Sequence, residues 1–273
     1  MELKKKIGRV GASLSGHSFL LLFSLLMSGC SNEEPAVTHM DDCYNHYKAE
    51  SYLVATQSCE LAAEDGEAHA QWLLGQIHRF ALLNEGENPE KAIHWYLKAA
   101  EQGHVSAMRE VGNAYLFGYG IEVDFDKAHL WLLRAAKKED SVAAFSMGSL
   151  YFEGKGRTKD IGSAINWFKR AAVKKHAMSI NNLAWIYATS LESAYNSPKK
   201  ASYWLSKMDD KLFEIPMFLD TKAAVLAAQS EYKEAVSIQN IAISKLPEDV
   251  PESEMLEYQK HLERYLNNQP WKE

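Results

Sequence analysis

Much of what marks an enzyme is missing from this chain. Its 273 residues contain no HExxH pair, no CxxC, no glycine loop running into GK[ST] and no GxSxG elbow. Gly154-Lys155-Gly156 lacks the hydroxyl residue and the strand that a phosphate loop requires. Basic residues are also in deficit. Setting aside Lys4, Lys5, Lys6, Arg9 and Glu2 of the first 29 positions leaves 26 basic and 35 acidic groups, a net charge of −9. That balance argues against gripping nucleic acid or anionic lipid by counterion release. The apolar stretch Phe19 to Met27 is nine residues long, whereas a bilayer-spanning helix takes about 20. Cysteines number only three, too few for a disulfide-framed fold.

What the chain does have is repetition. KAIHWYLKAAEQG at 91–103, KAHLWLLRAAKKE at 127–139 and SAINWFKRAAVKK at 163–175 are variants of one segment, and Trp95, Trp131 and Trp167 recur every 36 residues. A fixed period of that size signals a stacked helical solenoid. Each copy follows a second block in which Gly75, Gly112 or Gly148 heads a short apolar run. Glycine inside a helix costs about 1 kcal/mol relative to alanine, so its recurrence points to a steric need for close helix approach. Alanines share the register: Ala92, Ala128 and Ala164 precede each tryptophan by three residues, and Ala99, Ala135 and Ala171 follow it by four. Small residues beside a large aromatic describe one packed helix face. The unit is an antiparallel helix pair with turns at GYGIEVD (118–124) and GKGRTKD (154–160), and Pro89 opens the second helix of the first unit.

These residues resemble the Sel1-like repeats, relatives of the tetratricopeptide repeats, whose pattern joins LG-x-x-Y to G-x-G, D, KA, W and AA. Tyr115 and Tyr151 hold the tyrosine place and His78 replaces it in the first unit. The resemblance implies an all-α, right-handed solenoid of antiparallel helix pairs, with three repeats over 67–176. Ala184, Ala201 and Trp204 continue the grid, and Ala223, Leu226, Tyr232, Ala235, Ala242 and Pro247 have tetratricopeptide spacing, with Lys222 out of pattern. Two weaker repeats are therefore expected over 177–250. Met255, Tyr258, Leu262 and Tyr265 describe an amphipathic capping helix within 251–273, and the final Lys272 and Glu273 are expected to fray.

The first 29 residues read as a secretory signal. Its LMSGC ending resembles a bacterial lipobox, which implies lipidation of Cys30, and Ser31 after it implies sorting to the outer membrane, facing the periplasm. The alternative is an uncleaved anchor or a soluble secreted form. Residues 30–39 would form a polar tether, and 40–66 a degenerate first repeat. In a hairpin turning near Ser51, Cys43 and Cys59 lie level, eight residues to either side. An oxidising compartment would join them; the alternative is two small buried thiols.

Repeats account for nearly all the apolar residues from 40 to 266, which leaves little for a catalytic domain. The expected role is thus non-enzymatic, with no cofactor and no metal, a small-molecule ligand disfavoured, and a protein partner in the envelope. First helices should line a concave face, with an outward stripe six and three residues before, and one and four after, each glycine. The candidates are His69, Trp72, Gln76 and Arg79, then Arg109 and Asn113, then Phe145 and Ser149, then Asn181 and Trp185. Aromatic, amide and arginine groups suit recognition; the alternative is that the aromatic members pack between first helices and only the polar ones are free. A second function class is a binder of peptidoglycan or exported polysaccharide, for which Trp72 and Trp185 would need open faces. A third is a metal site built from histidines on adjacent helices, drawn from His69, His78, His94, His104, His129 and His176.

Overall fold

The computed structural model describes residues 38–83 and 86–273. Within them the chain is helical throughout, with no strand among the described residues. Six antiparallel pairs follow one another: α1 (His39–Lys48) with α2 (Tyr52–Glu64), α3 (Ala68–Arg79) with α4 (Pro89–Glu101), and α5 (Val105–Phe117) with α6 (Phe125–Lys137). Next come α7 (Ser141–Glu153) with α8 (Ile161–Val173), α9 (Ala177–Thr189) with α10 (Pro198–Leu205), and α11 (Pro216–Ala228) with α12 (Tyr232–Ser244). A 3₁₀ turn, Asp210–Glu214, precedes α11, and α13 (Glu252–Leu266) closes the stack. First helices of neighbouring units touch, α1 with α3, α5 with α7 and α9 with α11. They therefore line the inner side of the solenoid.

Local chemistry fixes where these helices begin. Asn88, Asp124, Asp160 and Ser197 each accept a hydrogen bond from the backbone N–H three residues on, which starts the second helices. Gly118 and Gly154 end α5 and α7 in the left-handed region, φ 75° and 72°, where a side chain would be strained. At the front, Thr38 and Asp41 form a reciprocal capping box. It draws His39, expected in the tether, into α1.

Packing within each pair turns on the glycine of the first helix, and the residue it meets is not the tryptophan. A Cβ on Gly112 would stand 2.6 Å from Leu132 Cγ, and one on Gly148 would stand 2.5 Å from the Phe168 ring; Tyr96 occupies the same place against Gly75. Tyr96, Leu132 and Phe168, each directly following a repeat tryptophan, are the deeply buried knobs, at 0–1 % exposure. The tryptophans sit farther out. Trp131 is 9 % exposed, while Trp95 and Trp167 are half-buried and lean on the cores that continue into the preceding unit. Each carries a cation over its ring three residues later: Lys98 at 4.4 Å, Arg134 at 4.7 Å and Arg170 at 4.6 Å from the centroid. The indoles thus join units, and the residues after them join the helices of one unit.

At the front of the stack, Cys43 of α1 and Cys59 of α2 are fully buried and bonded, with Cα atoms 4.6 Å apart. At the other end, the core of α11 and α12 is built on Ala223, Ala235 and Ala242, all fully buried, with α13 supplying Tyr258 and Tyr265. Lys272 and Glu273 are not frayed as expected. They are hydrogen-bonded back to the end of α9, because the last carbonyls of that helix have no partner within it.

Two stability measurements follow from this packing. Phe168→Ala should cost about 3–5 kcal/mol in urea unfolding, and Trp167→Ala less than about half as much, since its ring is only half-buried. Reducing the bond between Cys43 and Cys59, which closes a 17-residue segment, should lower stability by about 3 kcal/mol, read as a shift in urea midpoint with and without reductant.

Candidate functional site

The stripe predicted on the first helices exists, but most of it is engaged between units. Trp72 stacks on the rings of both His69 and His104, with centroids 5.2 Å from each, while the two imidazoles lie 5.4 Å from one another, so the three rings form a triangle. Arg109 reaches Asp140 at 2.9 Å. Phe145 stacks on His176 at 4.8 Å. In each case the residue three before the repeat glycine meets the residue that caps the next first helix, since His104, Asp140 and His176 cap α5, α7 and α9. These three caps recur every 36 residues. In the sequence His104 and His176 stand out only as metal candidates and Asp140 not at all; their common role is to cap the first helices.

The remaining candidates fall into three groups. Arg79 pairs with Glu110, which is 8 % exposed, and Arg109 bonds the same carboxylate at 2.8 Å, so Arg79, Glu110, Arg109 and Asp140 form a charge chain running over three units. Gln76 accepts from the Tyr96 hydroxyl, and Asn113 from the Ser146 hydroxyl at 3.2 Å. Ser149 lies with Phe145, Phe117, Ser146 and Lys155 around a shallow cavity of about 180 Å³. Inter-unit stacking and ion pairing thus engage Trp72, Arg109 and Phe145.

The histidines of the stripe are held neutral. His104 Nδ1 accepts from the Ala107 N–H, and its Nε2 lies 3.2 Å from His69 Nδ1, so the proton belongs on Nε2. Burial, with His69 and Arg109 adding to it, pushes the His104 pKa down to about 4, and burial lowers His69 and His176 as well. Among the described residues no group of three or more His, Cys, Asp or Glu side chains converges around this pair.

At Asn181 the series changes. This residue stands where Trp72, Arg109 and Phe145 stand in earlier units, but the next first helix, α11, is capped by Ile215, whose side chain makes no cap bond. Asn181 is 5 % exposed and its Oδ1 has no hydrogen-bond partner. It is thus more buried than predicted, and it lines a cleft of about 680 Å³ shared by α9, α11 and α13. Trp185 lies on the same wall, its ring 5.4 Å from that of His261 and its indole N–H donating to the Glu273 carboxylate. The floor is a buried polar knot in which Asp220 Oδ1 accepts from Gln239 Nε2 at 2.7 Å and from His261 Nδ1 at 2.8 Å. His261, Asp220, Trp271 and Glu273 were not singled out in the sequence, because no repeat period places α13 over α9.

With this geometry established, comparison with known proteins is informative. The Sel1 repeat model matches residues 68–104, 105–140, 141–174 and 177–208, half of the chain. The chain belongs to the Sel1 repeat family. Its first and last helix pairs lie outside the matched repeats. The solved Sel1 repeat protein from Oxalobacter formigenes superposes with a TM-score of 0.62 at 25 % identity, over 75 % of this chain and 84 % of that one. The structure of c5321, described as a protective antigen of uropathogenic Escherichia coli strains with an SLR fold, gives 0.62 at 22 % identity over 71 % of this chain and 42 % of its own. In sequence, 64 residues are 34 % identical to the ERAD-associated E3 ubiquitin-protein ligase component HRD3A of Arabidopsis thaliana; the chain spans 9 % of that protein's length.

Protonation of His104 is expected to loosen these Sel1 repeats. Its pKa is about 4 in the fold against 6.5 unfolded, so the stabilising contribution is complete above 6.5 and fades as pH falls toward 4. The urea midpoint should therefore drop between pH 7 and 4.5, and drop less in His104→Asn, which retains a capping side chain without a proton to gain.

Proposed function

We propose that this chain is a non-enzymatic lipoprotein of a bacterial cell envelope that holds a protein partner on the inner face of its solenoid, at the end built from α9, α11 and α13. The observation that carries this is the cleft beside Asn181, where a buried acceptor lacks a partner and two indoles and several charged groups converge. Elsewhere along the stripe, Trp72, Arg109 and Phe145 are stacked on or paired with the neighbouring unit's cap. A helical stack of this kind supplies contact area without chemistry. The plant relative is itself named as a component of a ligase, in keeping with a holding role.

Location rests on sequence and on one bond. The segment ending in LMSGC, with Cys30 as the acceptor for lipid and Ser31 directing the chain to the outer membrane, lies outside the described residues. The buried disulfide between Cys43 and Cys59 supports export, since such bonds persist in oxidising compartments. No described helix is long and apolar enough to cross a membrane, so attachment would come from acyl chains on Cys30, several of which hold far more firmly than one. A glycan-binding role draws less support, because the Trp72 ring is already stacked on His69 and His104 and the Trp185 N–H is committed to Glu273.

Two measurements test the proposal. Labelled palmitate should enter the chain at Cys30, and Cys30→Ala should move it from the membrane pellet to the soluble fraction. A photo-crosslinker at Asn182 or Lys260, beside the cleft, should capture one discrete envelope protein in intact cells, while one at Lys137 on a second helix should not. Capture only from position 137 would sink the inner-face assignment.

A further inference from the structure

Residues 269–273, which follow α13, form a strap without helical structure that docks on the C-terminal end of α9. The Glu273 N–H donates to the Thr189 carbonyl at 3.0 Å, and the Leu191 N–H donates to the Glu273 carbonyl at 3.0 Å, the exchange that parallel strands use about a single residue. Lys272 Nζ donates to the Ala188 carbonyl at 2.9 Å. The Glu273 carboxylate accepts from the Trp185 indole and, at 3.3 Å, from the Trp271 indole. The Trp271 ring lies 4.4 Å from that of His261. None of this belongs to helix–helix packing; it is how a groove reads a peptide.

The chemistry has a clear origin. Helix ends leave their last carbonyls without intrahelical donors, and the negative end of the helix dipole favours a cation there. Ala188 and Thr189 are the final residues of α9, and the strap brings them an ammonium and an amide. Main-chain bonds give affinity regardless of sequence, while Trp185 selects a carboxylate and His261 an aromatic ring.

We infer that the groove over α9 and α13 is a peptide-binding site occupied in this chain by its own strap, and that its external ligand is an extended protein segment presenting an aromatic, a basic and an acidic residue in succession, as Trp271, Lys272 and Glu273 do. The inference rests on the proposed holding function and specifies its ligand. The strap is a built-in competitor: a short tethered segment competes at an effective concentration on the order of millimolar, so partners gain access when it lifts. Asn181, buried on the same wall with a free Oδ1, marks room for a ligand longer than the strap.

The test uses the full chain carrying Trp271→Ala, Lys272→Ala and Glu273→Ala together, and a fluorescent peptide of residues 267–273, NNQPWKE, blocked at both ends. Saturable binding to the triple variant is expected, at least about tenfold tighter than to the unsubstituted chain, whose strap competes. Trp185→Phe added to that background should weaken it several-fold, and a peptide with its Lys and Glu both changed to Gln should bind at least several-fold more weakly than the native one. If the triple variant fails to unfold cooperatively, Lys272→Ala with Glu273→Ala, which leaves Trp271 on His261, takes its place. A folded variant that takes up no peptide at millimolar concentration, or no more than the unsubstituted chain does, overturns the inference. It would leave the crosslinking test of the broader function untouched.

Discussion

The structure depends on helices approaching at Gly75, Gly112 and Gly148 more closely than any side chain would allow. A Cβ on Gly148 would stand 2.5 Å from the Phe168 ring, so one helix can lie against the next only where that carbon is missing. The alanines two turns apart on the second helix serve the same closeness, since Ala92, Ala128 and Ala164, like Ala99, Ala135 and Ala171, are fully buried. Small residues on both surfaces let a single large knob, Tyr96, Leu132 or Phe168, fill the pair's interior. The entropy cost of an interior glycine, about 1 kcal/mol, is offset by the contacts that such a knob makes in a dense core.

Once pairs are fixed this way, the solenoid needs a second set of contacts to stack them, and here the chain uses varied chemistry at one geometric position. An indole on an imidazole, a guanidinium on a carboxylate and a phenyl on an imidazole all bridge the residue three before the glycine to the next cap. Their shared property is reach across the inner face. This explains why the stripe looked like a recognition surface in the sequence: aromatic, amide and arginine side chains suit interfaces, and the interface they serve is internal. Repeat stacks are interfaces throughout, and composition alone does not tell an inner joint from an outer one.

The helix pairs and their order were legible because the glycine, alanine and tryptophan ladders share one 36-residue register. The level placement of Cys43 and Cys59 could be seen from a hairpin turning near Ser51. Within a unit, however, periodicity could not decide which of two adjacent aromatics is the knob. Trp95 and Tyr96 are both large, and a helix places neighbouring residues about 100° apart, so a small rotation decides which one meets Gly75. The candidate site was less legible still. Trp185 and Asn181 were on the predicted stripe, but the residues that complete their surroundings, Asp220, Gln239, His261 and Glu273, come from segments with no fixed spacing to α9. Non-repeating contacts leave no period to read.

The cleft of the proposed site lies at an end of the stack for a reason internal to solenoids. An interior unit has neighbours on both sides, and its stripe residue finds a partner on the next cap. Past α9 the next cap is Ile215, which offers Asn181 no hydrogen bond, and α10 is only eight residues long, so α11 follows with a different offset. The register that set Trp72, Arg109 and Phe145 against the next cap fails here, and buried polar groups are costly to leave unmet. The chain meets part of that demand with α13, whose His261 joins Gln239 on Asp220, and part with residues 269–273, which cap the carbonyls of α9. Asn181 Oδ1, Gln239 Oε1 and the Tyr265 hydroxyl remain unmet. A break in repeat register thus accompanies both the strap and the cleft beside it, where the stacking rule no longer assigns every side chain to a neighbour.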